Sequence, residues 1–435
     1  MRRTVRAICI VASFAASLSL LLPPPSQAQA PPVITLESLL SAVDRHPSVV
    51  AAARALDAAR ARLVQARAGG ALQVSLNGRA SYGTLVQGVP SGGAPASSHN
   101  VSLEASVPIL DGGITALQVA QAESAVEAAQ AALEAARQDV LLAAARAYFQ
   151  VLQAMGLVEV REAALRFAQK QVEQAEAFFR AGTVARADII KAQAAAASAE
   201  ADLVAARGQV EIALASLLSA LGLPLTQEVR VADPGEPTIP EVTPPEAAAL
   251  AVSGRPEVRR AAAEVKGTEF ALRIAEARAK VMISTDAGLV LQISPNPGQV
   301  GWALSATISY PLSDGGRTKA AVEEARANLA AAIARMEETK RQVQLEAFQA
   351  AVNAREARAR LAAVRASVAA AEESLRVAEG RYQAGAGTLL EVLDAQATAT
   401  QARISYVQAR YDLYLAGVAL QHALGRPVIP RGGTT

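Results

Sequence analysis

The chain has 435 residues, 42 of them lysine or arginine and 40 aspartate or glutamate, with 51% hydrophobic but only 3% aromatic residues and one cysteine. That charge balance gives no basic surface for nucleic acid, the aromatics are too few for an ordinary globular core of this length, and one thiol makes no disulfide framework. His46, His99 and His422 are isolated, no His-Glu-x-x-His run occurs, and Gly385-Ala386-Gly387 follows no strand, so no catalytic site, metal site or cofactor is expected.

In chain order, residues 1–28 read as a secretory signal peptide: Arg2, Arg3 and Arg6, an apolar run from Ala7 to Leu22, then small residues spaced for cleavage after Ala28 or Ala30. Cys9 leaves with it, and the mature chain keeps 39 basic against 40 acidic residues. No other apolar run of the roughly 20 residues needed for a spanning helix is expected, so a membrane part must be a β-barrel.

Alanine dominates the mature chain, as suits helices packed closely side by side. Four segments break the pattern with period-2 alternation of tilted-strand length. Leu72, Val74, Leu76, Ala80 and Tyr82 alternate with Gln73, Ser75, Asn77 and Arg79, and Val101, Leu103, Ala105, Val107 and Ile109 with Ser102, Glu104 and Ser106. Similar runs lie at Ile283–Ile293 and Trp302–Tyr310, giving β-hairpins over about 71–110 and 281–312 with tips at Thr84–His99 and Pro295–Gly298. Two soluble hairpins lying on the helices would carry the same alternation. Against that, the outer face has nothing to cover it, and Tyr82, Trp302 and Tyr310 sit near strand ends as interfacial aromatics do.

Each hairpin leaves through a related turn, Pro108-Ile-Leu-Asp111-Gly112-Gly113 and Pro311-Leu-Ser-Asp314-Gly315-Gly316. Proline is expected to end the ladder, and the aspartate with its glycines to turn the chain and cap a helix. Long helices then run over Ile114–Phe179 and Arg317–Tyr382, about 100 Å each at 1.5 Å per residue. Shorter helices are expected over about Ser38–Gly69, Asp188–Leu221, Pro245–Lys280 and Glu391–Leu424, two end to end beside each long one.

The chain is duplicated. Arg381–Gln396 (RYQAGAGTLLEVLDAQ) repeats Phe179–Gln193 (FRAGTVARADIIKAQ) at a separation of 203 residues, and the same separation relates Pro108 to Pro311 and Pro224 to Pro427. Residues 29–224 form a first repeat and 246–435 a second. The Pro-rich stretch 225–245 and the chain ends are expected to gather as a belt at mid-height. Four strands cannot close a barrel; two copies would make eight strands around a filled interior, three would make twelve around an aqueous lumen. Helical columns continuing from the strands favour the hollow trimer.

These features together resemble the TolC-like outer membrane efflux proteins. The resemblance rests on the duplicated hairpin-plus-coiled-coil unit, the two strand exits, the AGT and AGAGTLLEVLDAQ turns and the LGLP and LGRP helix ends. It implies a mainly α chain with a membrane β part, a homotrimer with one 12-stranded barrel in outer-membrane lipid, and a periplasmic tunnel docking on an adaptor and an inner-membrane pump. It places Gly182, Thr183, Val184, Gly385, Ala386 and Gly387 at the adaptor-facing turns, where the glycines also serve as plain turn formers. It puts Glu391 and Asp394 at the narrowest point, although acids there also complement a helix dipole. Tyr382 would hydrogen-bond Asp188 to hold the entrance shut. Gly387 stands where the family carries a gate arginine, leaving either fewer links or Arg186 in its place. The competing readings are a secreted coiled-coil scaffold without a pore and the adaptor subunit itself.

Overall fold

A computed structural model of the chain describes residues 33–83, 96–235, 239–278, 282–292, 299–309 and 313–428. The expected signal peptide, most of the first hairpin tip, the second tip, Tyr310, Pro311 and the tail from residue 429 lie outside the described residues.

Three pairs of helices keep the same length in both repeats. Helices α3 (Ile114–Arg180) and α7 (Arg317–Gln383) each have 67 residues. α4 (Arg186–Ala220) and α8 (Leu389–Ala423) have 35, and α2 (Pro47–Ala68) and α6 (Pro256–Ala277) have 22. Both α2 and α4 pack along α3, and both α6 and α8 pack between α3 and α7. Alanine makes this close approach possible. The face that α8 buries runs Leu389, Val392, Ala395, Ala399 and Ala402, and that of α7 runs Val343, Ala347, Ala350, Ala354, Ala357 and Leu361. Both keep the three- and four-residue spacing of a helical seam.

Two of the expected short helices are broken. A helix α1 (Ser38–Val43) precedes α2, and α5 (Pro244–Gly254) precedes α6. The cause is the same in both repeats: Pro47 and Pro256 push the residue before them out of the helical region, with ψ of 135° at His46 and 130° at Arg255. The expectation about spanning runs is also corrected, since α3 and α4 are long and apolar enough to cross a bilayer by length and composition. Their apolar character is largely alanine, and these helices lie side by side in the bundle.

Strands β2 (Gln73–Gly83), β3 (Ala96–Leu110), β5 (Met282–Gln292) and β6 (Gln299–Ser309) form one antiparallel sheet in the order β2-β3-β5-β6. Pro108 does not end its strand. The ladder to β5 continues to Leu110 through an irregularity after Pro108, and β2 has already ended opposite Ser106, so no partner is lost on that side. Val74, Leu76 and Leu103 are exposed on one face of the sheet. On the other face the Asn77 amide donates to Glu104 Oε2 at 3.1 Å and to Ser75 Oγ at 3.3 Å.

The densest packing lies at mid-height. Between Val140 and Leu152, α3 is buried on most sides, and Tyr148, Phe149, Tyr411 and Tyr414 gather there, with Phe149 and Tyr414 stacked at 4.9 Å. The belt crosses the same level: strand β1 (Val33–Ile34) pairs in parallel with β4 (Arg230–Val231), and the Tyr148 hydroxyl donates to the Ala232 carbonyl. Burial pushes the Tyr148 phenol up to about 12.

Candidate functional site

Three levels of the bundle carry the residues singled out by the sequence: the strand exits, the mid-height junctions and the turns at the far end.

At the strand exits, Gly112 and Gly113 have φ of 66° and 83°, and Gly315 and Gly316 have 67° and 89°. A left-handed pair of this kind is accessible only to glycine at low cost. It folds the aspartate back over the helix start: Asp111 Oδ1 accepts from Gly113 N at 2.9 Å and Oδ2 from Thr115 N at 2.6 Å. Asp314 does the same with Gly316 N at 3.0 Å and Thr318 N at 2.7 Å. Hydrogen bonds from the Thr115 and Thr318 side chains hold both carboxyls below the usual carboxylate range. These threonines escaped the sequence reading, although threonine follows each aspartate by four residues.

At mid-height the short helices meet end to end, as the length matching required. Gly222 lies over Pro47, with a Cβ there 3.8 Å from the proline ring. In the second repeat the approach is closer: a Cβ on Gly254 or on Gly425 would stand 2.3 Å from the other segment's backbone. Arg255, the break before α6, is the one charged side chain buried among the described residues. It donates to Glu257 at 2.9 Å and Glu346 at 3.1 Å, and meets His422 Nδ1 at 3.2 Å, while His422 Nε2 faces Asp139 at 3.1 Å. The His422 hydrogen bond lowers the Asp139 pKa. No motif pointed to this cluster.

At the far end both turns take one form. Gly182 and Gly385 have φ of 74° and 72°, and a Cβ on either would meet nothing within 4 Å. The next residues close the helices through Thr183 N to Phe178 O at 3.0 Å and Ala386 N to Arg381 O at 2.8 Å. This is the usual glycine-terminated helix end. Ala386 and Thr183 are exposed, Val184 is half-buried, and Arg186 is exposed at the start of α4. Gly387 is different: a Cβ there would lie 3.1 Å from Arg381 Cβ and 3.2 Å from Tyr382 N, so the turn folds against α7 on bare backbone.

Tyr382 is buried beside Phe178, ring centroids 5.5 Å apart, and its hydroxyl has no hydrogen-bond partner among the described residues. The expected bond to Asp188 is therefore not made within this chain. Burial raises the Tyr382 pKa, with the Asp188 charge adding to it. Glu391 and Asp394 are both exposed, three residues apart on α8. Thr388 caps α8, accepting from Glu391 N at 3.3 Å, and Arg381 pairs with Glu391 across the turn at 3.2 Å. The guanidinium that reaches across this turn is Arg381, while Arg186 lies on the turn of the first repeat.

The chain matches the family model described as outer membrane efflux protein over residues 39–223 and 248–426, one match for each repeat. It is 29% identical over 335 residues to the outer membrane efflux protein BepC of Brucella suis, covering 75% of this chain and 72% of that one. It is 25% identical over 405 residues to the cobalt-zinc-cadmium resistance protein CzcC of Cupriavidus metallidurans, covering 92% of each. In three dimensions it resembles the outer membrane protein VceC of Vibrio cholerae with a TM-score of 0.78 at 24% identity, over 91% of this chain and 97% of that one. With both repeats inside the matched residues, and with a hairpin sheet continued by helices of channel length, the chain belongs to the outer membrane efflux protein family and is an outer-membrane exit channel of the tripartite efflux type.

Proposed function

We propose that three copies assemble into one hollow conduit, a twelve-stranded barrel continued by a helical tunnel through the periplasm, and that it receives cargo from an adaptor and an inner-membrane pump. The observation that carries this reading is the open sheet. Strands β2 and β6 each have one free edge, which lipid does not tolerate, and the outward face of β2 and β3 is apolar while the other face holds Ser75, Asn77 and Glu104. Three copies join edge β2 to edge β6 and put the polar face on an aqueous lumen. The far-end turns form the entrance. Ala386 and Thr183 offer small, exposed positions to adaptor tips, Tyr382, whose hydroxyl does not bond Asp188 within one chain, latches the closed state in the assembly, and Glu391 and Asp394 line the narrowest level.

Mass measurement of the protein extracted from outer membranes in mild detergent should give three chains. A stable monomer or dimer in that detergent overturns the assembly, and with it the entrance.

A further inference from the structure

The two acids at the entrance are not equivalent. Glu391 has both carboxylate oxygens engaged, Oε2 by Arg381 Nη1 at 3.2 Å and Oε1 by the Thr388 hydroxyl at 3.4 Å. The same guanidinium donates from Nη2 to the Ala386 carbonyl at 3.2 Å, so it bridges the end of α7, the turn and the first turn of α8. Gly387 permits this fit, since a Cβ there would stand 3.1 Å from Arg381 Cβ and 3.2 Å from Tyr382 N. Asp394, one helical turn further on, is exposed, and its carboxylate has no hydrogen-bond or ion-pair partner among the described residues. The first repeat has no such bridge: Phe178 stands where the second has Arg381, Asp188 where it has Glu391, and Lys191 where it has Asp394.

We propose that Arg381 sets the ion specificity of the entrance: by holding Glu391 it neutralises that layer of carboxylates and leaves Asp394 as the group that meets a passing cation. This rests on the entrance reading above. Each assembled channel then offers three free carboxylates at this level rather than six, and the residue controlling the difference is a cation on the neighbouring helix. A ring of free carboxylates attracts cations and concentrates its field in a narrow pore. Unmasking a second ring one helical turn away strengthens the hold on a polyvalent ion most.

The test uses the assembled channel in planar bilayers, with hexaamminecobalt(III) added on the entrance side as the blocking probe. Arg381→Gln should tighten block by about tenfold, the lower end of what focused charge produces. Arg381→Lys, which keeps the charge within reach of Glu391, should stay close to the wild type. Adding Glu391→Gln to Arg381→Gln should remove the gain, and Asp394→Asn should weaken block in both the wild-type and Arg381→Gln channels. Unchanged block in Arg381→Gln, or a gain that survives Glu391→Gln, overturns the role of Arg381 while leaving Asp394 at the entrance. If Asp394→Asn has no effect in either channel, the entrance reading itself fails and this inference fails with it.

Discussion

The two mid-height junctions solve one problem with different chemistry. In the first repeat, α2 and α4 meet where Gly222 lies over Pro47, with His46 Nδ1 meeting Ser48 Oγ at 2.7 Å and Arg137 of α3 donating to Asp44 at 3.0 Å, both contacts exposed. In the second, Gly254 and Gly425 touch backbone to backbone and Arg255 ties α6, α7 and α8 together beneath them. The strand exits, by contrast, carry the same Asp-Gly-Gly geometry in both copies. Where only backbone conformation is at stake the copies use the same residues. Where side chains must meet a neighbouring column, they differ, because α6 and α8 sit between two long helices whereas α2 and α4 lie along one.

Breaking that comparison should be easiest at the glycines. Gly425→Ala drives a Cβ into the Gly254 backbone and adds the left-handed penalty, a loss of about 3 kcal/mol or more that should abolish assembled channel on heating well below the wild type. Gly222→Ala meets only ordinary van der Waals contact and should cost about 1–2 kcal/mol, the conformational penalty alone. Equal melting of the two variants would mean that the closer contact in the second repeat carries no extra stability. Next in size, Arg255→Ala leaves Glu257 and Glu346 without their shared cation and should cost about 2 kcal/mol, discounted because both acids are partly solvated. Its counterpart His46→Ala should cost about 0.5–1 kcal/mol, the scale of a lost helix cap. Thermal loss of the assembled form measures both, and a smaller effect at Arg255 than at His46 would reverse the assignment.

The far-end turns sharpen the comparison through function rather than stability. Phe179 of the first repeat is matched by Tyr382 of the second, whose hydroxyl has no partner among the described residues. Tyr382→Phe should leave melting unchanged and raise the open probability in bilayers; unchanged gating removes Tyr382 from the latch. The smallest structural effect is expected at Ala386. It is exposed, so Ala386→Trp should leave assembly intact and abolish pump-dependent efflux if adaptor tips seat there. Full efflux with normal assembly places the adaptor elsewhere.

Much of this architecture is legible in the sequence. Strand alternation, proline-free helix lengths and the 203-residue repeat lead to the four-stranded sheet and the matched columns, because these features are periodic along the chain. The helix breaks at His46 and Arg255 are harder to read, since a single proline weighs little against the apolar pattern around it. Pro108 misleads in the other direction: whether a proline ends a strand depends on how far the neighbouring strand reaches, which is a tertiary fact. At the far-end turn Glu391, Asp394 and Tyr382 are legible from the turn motif. Arg381 is not, since it lies ten residues before Glu391 and meets it only because the turn folds one helix back on the other.

The matched helix lengths have one more consequence, for where the chain can grow. Adding one residue inside a helix turns everything beyond it by about 100° and carries its buried stripe off the seam. Between α2 and α6, and between β2 and β5, the copies are 209 residues apart, but from the strand exits onward they are 203 apart. The whole difference falls between the strands of the hairpins, where residues 84–95 separate β2 from β3 and 293–298 separate β5 from β6. Insertion is thus tolerated between the paired strands and disfavoured along the helices, which makes the stretch 84–95 the natural place to carry an epitope tag without disturbing the bundle.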